Sequence, residues 1–139
     1  MLDKIVYRTG CEIAEDQVLS LYADSSWTLY TADAAQLMSA LCGSLQVITA
    51  WQGDRLVGLV RAVGDGVTIL YIQDLLVLTS FRRRGIGSAL LERLCSMYLH
   101  VRQKVLMTDD TPEIRQFYTA CGFEDGGQKG LAFFVALGN

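Results

Sequence analysis

Three consecutive arginines and two glycines, Arg82-Arg-Arg-Gly-Ile-Gly87, are the residues of this chain best suited to holding a charged ligand. An apolar run, 67–78, leads into them, and a helical pattern leaves them at Ser88. Glycine lets a backbone come close to a ligand. The first N–H groups of a helix have no carbonyl partner within it, and the helix dipole favours negative charge at that end. Arg82, Arg83 and Arg84 add positive charge, so the turn reads as a phosphate site. A charge run is more often a solvated face, but the adjoining glycines and helix start favour phosphate contact here. A Walker loop would need a Gly-Lys-Ser/Thr ending, and the dinucleotide fingerprint would need glycine where Leu90 stands, so neither motif applies.

Other reactive side chains are scattered. Tyr118 lies in Phe117-Tyr-Thr-Ala-Cys-Gly-Phe123, on the apolar stripe of its helix, where a core aromatic is the plain reading. Asp74 precedes the end of the apolar run, and Asp109 and Asp110 follow a later one. Trp27 and Tyr30 occupy a polar connection, where lining a substrate site competes with ordinary packing. His100 stands alone, and Cys11, Cys42, Cys95 and Cys121 form no Cys-x-x-Cys pair, so no metal site is expected. The cysteines are expected to be reduced thiols packed as small hydrophobes.

These residues must be positioned by a fold that the periodicity outlines. A strand is expected over 4–8 and a helix over 12–23. A second helix over 32–42 has Gly43 as a left-handed cap. Three strand-like runs, 45–52, 55–63 and 67–78, are separated by glycine turns and read as an antiparallel meander. A helix over 88–100, a short strand over 104–108, a helix opened by Thr111-Pro112 and a last apolar strand over 131–137 complete the order.

With 139 residues, 51% hydrophobic and a single proline, the chain has the length of one domain and enough apolar residues for a sizeable core. Twelve basic residues against fifteen acidic ones give a net charge of −3, which lacks the positive field that nonspecific nucleic-acid binding needs. No stretch reaches the ~20 apolar residues that cross a bilayer, and no secretory signal pattern opens the chain. The expected setting is cytoplasmic, with neither membrane nor nucleic acid as partner.

Arg82-x-x-Gly85-x-Gly87 resembles the Gln/Arg-x-x-Gly-x-Gly/Ala motif of the GNAT N-acetyltransferase superfamily, and 117–123 resembles its Phe-Tyr-x-x-x-Gly-Phe signature. The order of elements also matches, so the resemblance covers nearly the whole chain. It implies an α/β fold of the α+β type, in which helices flank a mixed, mostly antiparallel central sheet. Two neighbouring parallel strands of that sheet splay apart to admit pantetheine. It implies one N-acetyltransferase domain over 1–139, with acetyl-CoA as cosubstrate and no metal.

Carried across by position, the contacts to pantetheine fall on Leu75, Leu76 and Val77. Those to pyrophosphate fall on Arg83, Arg84, Gly85, Ile86, Gly87 and Ser88, with Arg82 opening the motif. Tyr118 matches the residue that protonates the departing thiolate. Thr111 stands where relatives often carry asparagine, and Leu106 where ribosomal-protein acetyltransferases place a glutamate base. The base is therefore open among Asp74, ranked first, Asp109, Asp110 and a water chain, and a structural role for Asp74 competes with the catalytic one. The activity implied is direct acetyl transfer to a primary amine of a small molecule or peptide. The rival is a non-catalytic acyl-CoA-binding domain. Trp27 and Tyr30 are expected on the amine side, and the apolar last strand makes a homodimer an expected arrangement.

Overall fold

The computed structural model describes residues 4–26 and 28–138, with Thr28 and Leu29 described by backbone alone. The chain divides into two compact units, Met1–Met107 and Thr108–Asn139. The first holds β1 (Ile5–Thr9), α1 (Glu15–Asp24), α2 (Thr28–Thr31), α3 (Ala34–Cys42), β2 (Gln46–Gln52), β3 (Arg55–Gly64) and β4 (Ile69–Val77). A 3₁₀ turn at Thr79–Phe81, α4 (Ile86–Met97) and β5 (Gln103–Leu106) complete it. The second holds α5 (Pro112–Ala120) and a 3₁₀ turn at Gly126–Lys129.

The strands form one sheet in the order β1-β2-β3-β4-β5. The first three pairings are antiparallel, and β4 with β5 is parallel, as expected of a mixed, mostly antiparallel sheet. Central β3 is buried without interruption from Leu56 to Ala62, because a strand covered on both faces has no polar side to alternate with. Helices α1 and α4 both pack on β3, contributing Val18, Leu21 and Tyr22 from one and Ile86, Leu90, Leu91 and Leu94 from the other. A Cβ on Gly58 of β3 would lie 3.1 Å from side-chain atoms of both Ile86 and Leu90. The missing side chain lets the start of α4 settle against the sheet.

Several local expectations are corrected. Helix α1 starts at Glu15, not Glu12, because the backbone is still turning at Cys11, whose carbonyl accepts from the Ile13 N–H at 2.9 Å. Helix α3 starts at Ala34 because the Asp33 carboxylate accepts from the Gln36 N–H at 3.0 Å. Gly43 ends it in the right-handed region, φ −84°, where a left-handed cap was expected. Residues 131–137 form no strand; Leu131, Phe133, Phe134, Val135 and Leu137 are all exposed. β-propensity without a pairing strand does not satisfy the backbone.

The cysteine expectation fails at one pair. Cys11, after β1, and Cys42, at the end of α3, form a disulfide with their Cα atoms 5.2 Å apart, inside the usual bridging range. They are 31 positions apart, so only the fold brings them together. Cys95 and Cys121 are half-buried, in keeping with packing as small hydrophobes.

Candidate functional site

Strand β4 alternates along its length, burying Leu70, Ile72, Asp74 and Leu76 while Tyr71, Gln73, Leu75 and Val77 stay half-exposed. Its pairing with β5 runs from Ile69↔Gln103 to Ile72↔Leu106 and stops there. From Gln73 to Val77 the strand keeps β3 on one side, with Leu75 opposite Val60 and Val77 opposite Gly58, and has no β5 partner on the other. The parallel pair thus opens at the stretch expected to carry pantetheine.

The turn after β4 is anchored at its base. The Thr79 N–H and hydroxyl donate to the Asp24 carboxylate of α1 at 2.8 and 2.7 Å, holding that carboxyl below its usual range. Phe81 is buried, and the Arg84 guanidinium lies 4.7 Å from its ring centre while also donating to the Ser80 carbonyl at 3.4 Å. Arg82, Arg83 and Arg84 are exposed at the surface of the turn. Arg83 and Gly85 both have positive φ, 64° and 79°. A Cβ at Gly85 would meet nothing within 4 Å, so glycine serves the backbone angle there rather than relieving a crowd. Gly85 caps α4 without a side-chain cap bond, and the Ala89 N–H donating to the Gly85 carbonyl at 3.0 Å begins the helical ladder. Exposed guanidinium groups, two residues at positive φ and a helix start without a side-chain cap bond are features that suit an anionic group.

Asp74 is 1% exposed. Its Oδ2 accepts from Arg61 Nε of β3 and from the Tyr22 hydroxyl of α1, each at 2.8 Å, and Oδ1 has no partner among the described residues. Burial works to lower the Arg61 pKa, but the hydrogen bond and charge of Asp74 outweigh it and raise it. Burial first, then the Asp74 charge, pushes the Tyr22 phenol up, so it stays protonated. A general base must meet the amine directly or through one water. This burial and these two partners suit the structural role that stands beside the catalytic one for Asp74. Arg61 and Tyr22 were not singled out from sequence. Their signal was Asp74 itself, a charge on the buried face of β4, and Arg61, a lone cation within the apolar run of β3.

Tyr30 accepts from Gln73 Nε2 of β4 at 3.2 Å and packs edge-on against Tyr22 at 5.5 Å, which brings it beside the open stretch of β4. Trp27 lies outside the described residues. Asp109 and Asp110 are exposed, and Asp110 is paired with Arg115.

In the second unit the Thr111 hydroxyl accepts from the Ile114 N–H at 3.2 Å, capping α5 as its sequence predicts. The buried face expected of Ile114, Phe117, Tyr118 and Cys121 is only half-buried. Tyr118 packs edge-on against Phe117 at 5.0 Å and Phe123 at 6.0 Å. Burial, with a smaller contribution from Cys121, pushes its phenol up to about 12, so it carries its proton at neutral pH.

Residues 43–125 match the family model described as acetyltransferase (GNAT) domain. Among solved structures, a GNAT family acetyltransferase protein of Streptococcus pneumoniae is 32% identical, with a TM-score of 0.87 over 97% of this chain and 98% of that one. A GNAT-family protein of Xanthomonas campestris is 22% identical, with a TM-score of 0.73 over 97% and 96% of the two chains. An aminoglycoside acetyltransferase from an uncultured soil metagenomic sample, in complex with sisomicin, is 18% identical, with a TM-score of 0.68 over 96% and 97%. The last two likenesses concern the fold alone. No curated protein matches.

Proposed function

The chain belongs to the GNAT acetyltransferase family, and on that premise we propose that it moves an acetyl group from acetyl-CoA directly to a primary amine of a small molecule or peptide. The observation that carries this reading is the open stretch of β4 over 73–77, running into the arginine and glycine turn at the start of α4. Main-chain groups of Leu75, Leu76 and Val77 hydrogen-bond the pantetheine arm and polarise the thioester oxygen, where negative charge develops. Arg82, Arg83, Arg84, Gly85, Ile86, Gly87 and Ser88 hold the pyrophosphate. The amine nitrogen bonds to the thioester carbon, the carbon–sulfur bond breaks, and Tyr118 gives its proton to the departing sulfur. Its raised pKa keeps that proton available. The ammonium proton leaves to water, since Asp74 is committed to Arg61 and Tyr22.

Thr111, as a helix cap, supports the cofactor side by fixing the start of α5 rather than by an amide contact. Tyr30, with Trp27, lines the amine side. A net charge of −3 and these aromatics favour a small cationic amine over an acidic acceptor. The two units act as one acetyltransferase domain, a reading supported by a family match that runs through both. The setting is cytoplasmic, without metal, nucleic acid or membrane. The exposed apolar run 131–137 supports a homodimer.

A non-catalytic acyl-CoA-binding domain is the second reading, favoured by the commitment of Asp74 to buried partners. Release of CoA from acetyl-CoA across an amine panel separates the two. Turnover with at least one amine is expected, whereas tight acetyl-CoA binding without turnover would leave the binding domain.

A further inference from the structure

Asp74 raises a physical problem that the acetyl-transfer reading does not solve. It places a carboxylate inside the protein one residue before the backbone stretch that must stabilise a developing negative charge. Left uncompensated, that carboxylate would oppose the charge on the thioester oxygen, and in a buried setting the opposition would be only weakly screened.

Three elements converge on it. Arg61 of β3 donates through Nε, Tyr22 of α1 donates through its hydroxyl, and both take the same oxygen, Oδ2. Arg61 is 6% exposed and Tyr22 is fully buried. Arg61 reaches further, with Nη1 3.5 Å from the Ser44 hydroxyl, which itself donates to the Ala40 carbonyl of α3 at 2.7 Å. The pair also sits where the ladder changes register. Arg61 lies opposite Asp74, but Ala62 lies opposite Ile72, so Gln73 is the extra residue of β4. That extra residue is held in turn by Tyr30. The bulge and the end of the β5 pairing coincide, and beyond them β4 has a sheet partner on one side only. A strand edge at this point could shift its register unless something outside the backbone ladder fixed it.

We propose that Arg61 and Tyr22 are positioning residues for acetyl transfer: they fix the β4 bulge through Asp74, and Arg61 cancels the charge of Asp74 beside the polarising backbone of Leu75, Leu76 and Val77. This rests on the acetyl-transfer reading and deepens it. It assigns Asp74 no part in proton transfer.

The test compares the parent with R61Q, R61K and the double variant R61Q/D74N, at a temperature where each is folded. R61Q leaves the Asp74 carboxylate without its cation, with only the Tyr22 hydroxyl donating to it. Its kcat should fall about tenfold while the KM for acetyl-CoA stays within about twofold, because the charge opposes the transition state and not the bound cofactor. R61K restores the charge, and R61Q/D74N removes the carboxylate, so both should recover most of the lost kcat. Should R61Q fail to fold, R61K and the double variant carry the test, and a tenfold deficit in either overturns the proposal. A residue that merely supported the fold would raise the acetyl-CoA KM together with the loss of kcat, and that result also overturns it. So does an R61Q/D74N protein that binds acetyl-CoA normally but stays inactive, since Asp74 would then be needed for the chemistry.

A parent that releases no CoA from any amine sinks the acetyl-transfer reading, but the positioning claim retains an activity-free readout. Amide hydrogen exchange at Leu75, Leu76 and Val77 should quicken about tenfold in R61Q and return in the double variant, where the amide oxygen introduced by D74N still accepts from Tyr22 and from the R61Q amide with no charge stranded. Unchanged exchange overturns it.

Discussion

Arginine meets aspartate in both units of this chain, and the two meetings differ in how much water surrounds them. In residues 1–107, Arg61 and Asp74 lie 2.8 Å apart with side chains 8% and 0% exposed. In residues 108–139, Arg115 bridges Asp110 and Asp125 with side chains 52%, 73% and 39% exposed. The charges are alike, but their physical consequences are not. Water screens an exposed pair and would solvate either partner left alone, so little depends on it. A buried pair is not a strong source of net stability either, yet removing one partner strands the other charge in the interior. The same contrast runs through the rest of the two units. The first has a continuous core and a disulfide, and the second has no fully buried side chain in α5 and a run of exposed apolar residues at 131–137.

The largest way to test that contrast is to strand a charge. Asp74→Ala leaves Arg61 without its anion, and urea unfolding should show a loss of about 3–5 kcal/mol. A loss below 1 kcal/mol or so would mean that water reaches Arg61 and that the pair behaves like a surface one.

Tyr118→Phe reads the second unit through chemistry instead. The ring keeps its edge-on contacts with Phe117 and Phe123, so the fold and acetyl-CoA binding should hold. The phenol proton is gone, and kcat should fall by ~10²–10⁴. Single-turnover rates make the comparison safe if product release limits the parent. A parent-like rate would make Tyr118 a packing residue.

Reduction of Cys11–Cys42 acts on the first unit alone. Its loop holds α1, α2 and α3, and loop-closure entropy predicts a loss of about 3–4 kcal/mol on breaking a bridge of this span. Unfolding with and without a dithiol measures it, with alkylation and intact mass to count thiols. Two alkylated cysteines at these positions before any reductant is added would remove the bridge from the account.

Gly87→Val tests the turn. Acetyl-CoA at 100 times its Kd should stabilise the parent by about 2.7 kcal/mol, read as a rise in Tm. The added side chain obstructs approach of the pyrophosphate to the start of α4, so most of that rise should vanish. A full ligand-induced rise in a folded variant would move the phosphate site elsewhere.

Much of this contrast was legible in the sequence where periodicity and local chemistry decide the structure. The β2-β3-β4 meander, the turn at 82–87 and the Thr111-Pro112 start of α5 all rest on neighbours within a few residues. What escaped depends on residues far apart in the chain. The Cys11–Cys42 bridge spans 31 positions, Tyr22 and Asp74 are 52 apart, and neither leaves a local pattern. Residues 131–137 misled for the opposite reason: their composition favours a strand, but a strand needs a partner that composition cannot supply. Asp74 is the instructive case. The alternation of β4 already puts it on the face of Leu70, Ile72 and Leu76, where a charge must be paired, so the need for a partner was legible although Arg61 and Tyr22 were not.

The smallest effect belongs to Arg115→Ala, and its pH dependence makes it the sharpest check on the contrast. Hydrogen bonds from Arg115 come first among the causes that hold Asp110 and Asp125 below their ordinary carboxylate range; the Arg115 charge comes next for Asp110, and the Gly127 N–H for Asp125. A carboxylate with a lowered folded pKa stabilises the protein above its unfolded value, near 4, and loses that contribution as pH falls through the lowered one. The parent should therefore exceed the variant slightly in stability between about pH 5 and 7, and the gap should close as the solution is acidified below about pH 4. Because all three side chains face water, ~1 M salt should shrink the same gap at neutral pH, while leaving the Asp74→Ala deficit nearly intact. A gap as large as that of Asp74→Ala, and indifferent to salt, would show that Arg115 is shielded in solution. The two meetings of arginine and aspartate would then be of one kind.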